Sequence, residues 1–459
     1  MTSFLRPGLT PRLIRNLRLP VALVDGVALL PDAEGLAHAE MEIAGGRIAA
    51  IRPAPPMPPA PARVEGPEPG LAPPRTDGPV IDMGGGQVWP LFVDLHTHLD
   101  KGHIWDRAPN PDGTHASAAR TVAQDRQAHW RGDDVARRFD FGLRCAHAHG
   151  TGAIRTHLDS YEPGQAETSF AVFREMRSEW RGRIALQAVV MARLDHYAGE
   201  GGARLLRLAT STGAALGGIL KMEGATPERL DAGLDHLLAL AAAQGLDVDL
   251  HIDETDDPAS GQLERLADAV LRNRFHGQVT AGHCCALSRQ GTADAARVIG
   301  KVAQARIAVV SLPMVNLYLM GRTPGATPQW RGLTRVQELA AAGVEVAAAS
   351  DNCRDPFFAF GDHDGMEVFR EFTRIAHLDG AAARWSAAVT RTPARIMGLA
   401  EHGRIAPGGP ADLLLFRGRG MSELLSRPQA DRAVLRAGRA IDTTLPDHAE
   451  LTLTEPLPA

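Results

Sequence analysis

The stretch VDLHTHLDKGHIW, residues 93–105, sets His96 and His98 one residue apart at the end of the apolar run VWPLFV. On an extended strand two such histidines point to the same face, so both imidazoles can reach one ion. The same design recurs downstream. LDVDLHIDE ends in His251 and Glu254, QVTAGHC in His283, and VEVAAASDN in Asp351 and Asn352. Imidazole and carboxylate together suit Zn²⁺ or Fe²⁺. Acid–base groups beside an open coordination position would make such a site catalytic. Each piece alone is weak. An HxH pair recurs by chance, and a lone strand-end histidine such as His157 in RTHLD is more often a hydrogen-bonded structural one. An Asp253–Glu254 pair is normally a solvated loop, and Glu254 alone also reads as an acid at a helix start. The information lies in the ordered set HxH, H, H, D, each behind an apolar, β-rich segment.

For those groups to meet, the segments that carry them must end on one face. GAIRTHLD, RIALQAVVMA, LDVDLHID, QVTAGHCC, RIAVVSLPMV and VEVAAASD all read as strands buried on both sides. Helices alternate with them. In TPERLDAGLDHLLALAAAQG, Thr226 suits an N-cap, Pro227 the first turn and Gly245 the stop. In TRVQELAAAG, Thr334 and Gln337 have capping-box spacing and Gly343 ends the helix. At least seven strands separated by helices indicate an α/β protein with a closed (β/α)8 TIM-type barrel, whose strand C-termini gather the polar groups. The barrel is expected over 89–398, flanked by 18–88 and 399–459 as two parts of a small composite β-sandwich domain. PAPPMPPAPARVEGPEPGLAPPR, residues 53–75, is expected to be an exposed irregular loop.

Bulk properties narrow the partners. The chain has 459 residues, a net charge of −5 and interspersed acids and bases, which leaves no electrostatic footprint for nucleic acid or an anionic membrane. The four cysteines, Cys145, Cys284, Cys285 and Cys353, lack CxxC spacing and fit a reducing compartment. With no apolar leader and no long apolar run, a cytoplasmic protein acting on a small molecule is expected.

HTHLD, HIDETDD, TAGHCCALS and ASDNCRDPFFAFG, in that order, resemble the motifs of the amidohydrolase superfamily, and most resemble its bacterial cytosine deaminase branch. RTHLD, VNLYLMGR and WRGLTRVQELAAAG extend the resemblance, which spans roughly residues 80–400. It implies a single divalent ion, zinc or iron, on His96, His98, His251 and Asp351. Lys221 in GGILKMEG looks out of register for the carboxylated lysine of binuclear relatives. It further implies a homo-oligomer that hydrolytically deaminates an amino-substituted nitrogen heterocycle. In that chemistry Glu254 protonates the ring nitrogen, while His283 and Asp351 hold the attacking water and move its protons.

Some positions depart from that branch. Where cytosine deaminases carry a glutamine after the third strand, this chain has Arg193 at or near the position, and Asn352 replaces an aspartate. A guanidinium favours a more oxygenated or more acidic ring than cytosine, unless Arg193 turns away to a surface carboxylate. Lys101 and His103 after HLD resemble relatives that remove alkylamines from triazines, which leaves N-alkyl amine hydrolysis or opening of a cyclic amide as the alternative. His157, Lys101 and Phe357 are placed with the substrate, Phe357 (like Trp105) as stacking surface.

Overall fold

The computed structural model describes residues 4–56, 58, 60–65, 78–428 and 432–452. The chain forms two compact units. One comprises Met1–Val93, Cys145–Ala153 and Asp364–Leu445, the other Asp94–Arg144, Ile154–His363 and Pro446–Ala459.

The first unit is built on a nine-stranded mixed sheet that needs both ends of the chain. Its path runs Arg439–Ala440, Arg432–Arg436, Leu413–Phe416, Gln87–Pro90, Leu13–Pro20, Leu36–Ala44 and Arg47–Pro53. The join is antiparallel, with Trp89 opposite Leu414 and Val88 opposite Leu415. Ile14, Leu17, Leu19, Met41, Ile48, Leu413 and Leu435 fill one apolar core, so residues distant in sequence bury each other's faces. One local reading is corrected here. Arg63–Glu65, inside the proline-rich stretch, pairs antiparallel with Val80–Asp82 rather than remaining irregular, because Arg63, Val64 and Glu65 lack the prolines that prevent ladder bonding on either side; other parts of that stretch lie outside the described residues. Val21–Leu23 is a 3-10 turn, following directly on Pro20.

The second architecture is the barrel. Phe92–Thr97, Thr151–Asp159, Ala185–Arg193, Ala215–Ile219, Val248–Ile252, Val279–His283, Ala308–Ser311 and Val346–Ala348 lie side by side in chain order. The pairings are parallel, for example His251 with Gly282 and Val310 with Ala347. First and last strands close through a Thr97–Asp351 bridge, with the Asp351 amide donating to the His96 carbonyl at 2.8 Å. The strands are buried along their length, as parallel strands covered on both faces must be. Between the fourth and fifth runs the helix Pro227–Gln244, where Thr226 accepts from the Arg229 amide and Gly245 is left-handed at φ 62°.

Two elements shift from expectation. The helix after Thr334 begins only at Val336, and the Thr334 hydroxyl is buried without a partner. Arg335, at φ −81° and ψ 66°, makes an inverse γ-turn in which the Val336 amide donates to the Thr334 carbonyl, so the hydroxyl is carried away from the helix start. RIAVVSLPMV stops being strand at Ser311, because Pro313 opens the helix Pro313–Leu319. No helix among the described residues is long and apolar enough to cross a membrane.

Candidate active site

His96 and His98 leave the first barrel strand beside Asp351, which follows the last. The His98 Nε2 is 3.1 Å from the Asp351 Oδ1 and 3.4 Å from the His251 Nε2, and the His96 Nε2 is 3.6 Å from the same Oδ1. Ligands held tetrahedrally at about 2.1 Å from one ion stand roughly 3.4 Å apart. These three separations are close to that spacing, and the ligand atoms of His96, His157 and His251, like those of His96, His283 and Asp351, lie within 4.8 Å of one another.

Polar satisfaction points the same way. Both nitrogens of His96, the His251 Nδ1, the His283 Nε2 and both Asp351 oxygens are buried with no hydrogen-bond partner. So many orphaned polar atoms in one place would be costly unless an ion or water occupies the space. The His98 Nδ1 lies 3.3 Å from the His157 carbonyl, which can only accept. The ring proton therefore sits on Nδ1, leaving the Nε2 lone pair facing the cluster. Burial, foremost, holds His96, His98, His157 and His251 well below the usual imidazole range, so all four are neutral and able to ligate. Burial also pushes the Asp351 carboxyl up to about 7, against the pull of His283.

The backbone is shaped around these groups. His283 and Asp351 are left-handed, at φ 68° and 61°, a conformation that non-glycine residues rarely keep without function. Gly282 leaves room for a ring, since a Cβ there would come within 3.0 Å of the His96 Cε1. Beneath, the Asp94 carboxylate accepts from the Ser350 hydroxyl and from the amides of Ser350 and His96, tying the first strand to the segment that carries Asp351.

In front of the cluster is a cavity of about 540 Å³ whose wall includes His98, His251, His283, Asp351, Glu254, Lys101, Asn352 and Phe357. Glu254 stands between two imidazoles, its Oε1 3.6 Å from the His283 Nδ1 and its Oε2 3.3 Å from the His115 Nε2. Burial alone would raise its carboxyl, but His283 and His115 outweigh that and hold it down to about 2. The Lys101 ammonium is 3.9 Å from the Asp159 Oδ1 and 4.7 Å above the Phe357 ring. Asp159 also takes the Arg126 guanidinium, which stacks on Tyr161 at 5.0 Å.

Two residues expected to meet substrate stand elsewhere. Arg193 is not on the cavity wall, because Asp195 holds its guanidinium through two 3.0 Å hydrogen bonds. His157 is fully buried behind the wall, stacked on His96 at 3.9 Å, with a nitrogen close to those of His96 and His251. Trp105 lies outside the cavity, and His103 pairs with His363 instead. Lys221 is exposed on the wall, away from any bridging position. Other contributors were not anticipated: His115, Asp94, and Asn316, whose Nδ2 is 3.0 Å from the His283 Nδ1. VNLYLMGR contains Asn316, but only the fold shows which residue it supports. Nothing in GTHASAAR distinguishes His115 from an ordinary helix-start residue.

The chain is similar to several known proteins. The sequence pattern described as the Amidohydrolase family matches residues 172–453, which include His251, Glu254, His283 and Asp351. A pterin deaminase of Rhizobium rhizogenes is 49% identical over 451 residues, covering 98% of each chain. An N-isopropylammelide isopropyl amidohydrolase of a Pseudomonas species is 26% identical over 372 residues, or 79% of this chain and 87% of that one. Among solved structures, 5-methylcytosine deaminase from Klebsiella pneumoniae, liganded with phosphonocytosine, superposes with a TM-score of 0.77 at 27% identity, covering 94% of this chain and 97% of that one.

Proposed function

The chain belongs to the amidohydrolase family, a hydrolytic deaminase acting on carbon–nitrogen bonds in cyclic amidines, and we propose that its substrate is a pterin. The observation that carries the substrate class is the near full-length likeness to a pterin deaminase. The cavity of about 540 Å³ supports it, being of a size suited to a small bicyclic ring.

We further infer one divalent ion, zinc or iron, held by His96, His98, His251 and Asp351. Such an ion supplies Lewis acidity and brings the pKa of water toward neutrality. The side chains do the rest. Glu254 begins as a carboxylate, takes a proton from the attacking water and gives it to the ring nitrogen beside the carbon under attack. His283, fixed by Asn316, helps to hold that water. The second water proton passes through Asp351 to the exocyclic nitrogen. The carbon–nitrogen bond breaks, the carbonyl forms and ammonia leaves, so both protons are accounted for. Lys101 offers donors and no acceptor, which suits a ring oxygen or a bare ring nitrogen. The preference for an oxygenated ring inferred from Arg193 thus rests on Lys101 instead. Phe357 supplies an apolar edge.

The test is ammonia release by metal-loaded protein across pterin, cytosine, guanine and N-isopropylammelide. Pterin is expected to have the highest kcat/KM, with loss on chelation, and Glu254→Gln should lower kcat by about 10²- to 10⁴-fold. Cytosine as the best substrate would overturn the reading. Lys101 directly after HLD keeps a second reading, N-alkyl amine hydrolysis, which predicts an alkylamine product in place of ammonia.

A further inference from the structure

We propose that His115 is a positioning residue for the reaction: from the start of the helix that follows the first barrel strand, it clamps the Glu254 carboxylate in the orientation and charge state needed to carry a proton. The inference rests on the reading of Glu254 as the proton carrier.

The clamp has two jaws. The Glu254 Oε1 faces the His283 Nδ1 at 3.6 Å and its Oε2 faces the His115 Nε2 at 3.3 Å, so neither oxygen turns without losing an imidazole. His283 is fixed from behind by Asn316. His115 is fixed as firmly, although it lies on an unrelated segment. It is the first residue of the helix His115–His129, with Thr114 as N-cap accepting from the Ser117 amide. The Asp112 carboxylate accepts from the Thr114 amide and hydroxyl and from the Ser117 hydroxyl. Asn110 donates to the carbonyls of Thr114 and Pro356, stapling this turn to the segment that carries Phe357. The His115 ring then meets Phe357 edge to face at 5.3 Å and 71°.

An imidazole with that much support is placed, not incidental. The charged groups facing it are Glu254, Lys221 and Lys101. Glu254 has the largest influence and raises the ring above the ordinary imidazole range, against burial and the two lysines. The contact therefore favours an imidazolium facing a carboxylate. When Glu254 takes up the water proton the pairing is lost, and handing that proton to the ring nitrogen restores it. His115 thus drives the carrier back to its starting state.

The test compares His115→Phe, which keeps a ring against Phe357, with His115→Gln, which keeps a neutral N–H donor, using whichever ring the wild type deaminates. For His115→Phe, kcat is expected to fall roughly 10- to 100-fold, the range seen when an orienting partner is lost. KM should stay within about threefold, and the acid limb of kcat/KM should move to higher pH because Glu254 loses a cation. His115→Gln should recover part of kcat. Wild-type kcat with an unmoved acid limb, or a change in KM alone, would overturn the proposal. A second readout needs no turnover. In NMR titration the His115 ring should have a lower pKa in Glu254→Gln than in wild type, and an unchanged value also overturns it. If the wild type deaminates no ring, the proposed function fails, while the titration still decides the ion pair.

Discussion

The barrel unit contains two buried histidine clusters, and they have opposite characters. In one, His96, His98 and His251 surround the Asp351 carboxylate, with orphaned nitrogens and oxygens opening on a cavity. In the other, the His103 Nε2 and His363 Nε2 lie 3.3 Å apart, and the His363 Nδ1 is 3.5 Å from the Thr97 hydroxyl and 3.6 Å from the Cys353 Sγ. Burial comes first in lowering His103, followed by His363, Arg138, His448 and Arg354, which are imidazoles and guanidinium groups. A cation entering there would meet more positive charge. Histidine density therefore does not make a metal site. The first cluster differs in holding a carboxylate, unsatisfied ligand atoms on several residues against the His103 Nδ1 of the second, and an open side.

The sharpest way to break that contrast is to remove one histidine from each cluster. His98→Ala should abolish both bound metal and deamination. His103→Phe should keep one metal equivalent and most of kcat, at a stability cost of about 1–3 kcal/mol from the lost His103–His363 contact. Equal metal loss in both variants, read by elemental analysis, would erase the distinction.

A milder test uses pH. In His96, His98, His157, His251 and His103 the folded state disfavours the protonated ring. For these rings the unfolded chain binds more protons below about pH 6.5, so their contribution is full above that value and lost as pH drops below it. The Asp351 carboxyl, raised to about 7, takes up its proton in the folded state and opposes that loss. The histidine share of the balance is a loss of Tm in metal-free protein as pH falls below about 6.5. Added zinc should restrain that loss by binding only the folded state, and His103→Phe should reduce the pH slope without altering the zinc effect. Zinc that failed to raise Tm at neutral pH would count against the first cluster.

The smallest effect is expected at Arg193, whose partner is Asp195 rather than the cavity. Arg193→Ala should change kcat/KM by no more than about threefold, as for a partly exposed ion pair. A large rise in KM would return Arg193 to the substrate.

The barrel and its ordered polar strand ends were legible because buried parallel strands are apolar throughout, so His96, His251, His283 and Asp351 stand out at their ends. The helix from Pro227 was legible because Thr226 and Gly245 act locally, through contacts within a turn. Arg193 was misplaced because a residue at a strand's last position can turn either way, and a carboxylate two residues on decided it. His115 was invisible for the converse reason: its partner is 139 residues away and no local pattern marks it.

Sequence by itself thus determined residue type and order: apolar strands, and histidines and an aspartate at their polar ends. Tertiary structure alone decided which imidazoles face the carboxylate, which face one another, and that His115 stands against Glu254. The physical reason is range. Period and capping act over a few residues, whereas charge state and ligand geometry depend on groups that meet only when the barrel closes between Thr97 and Asp351.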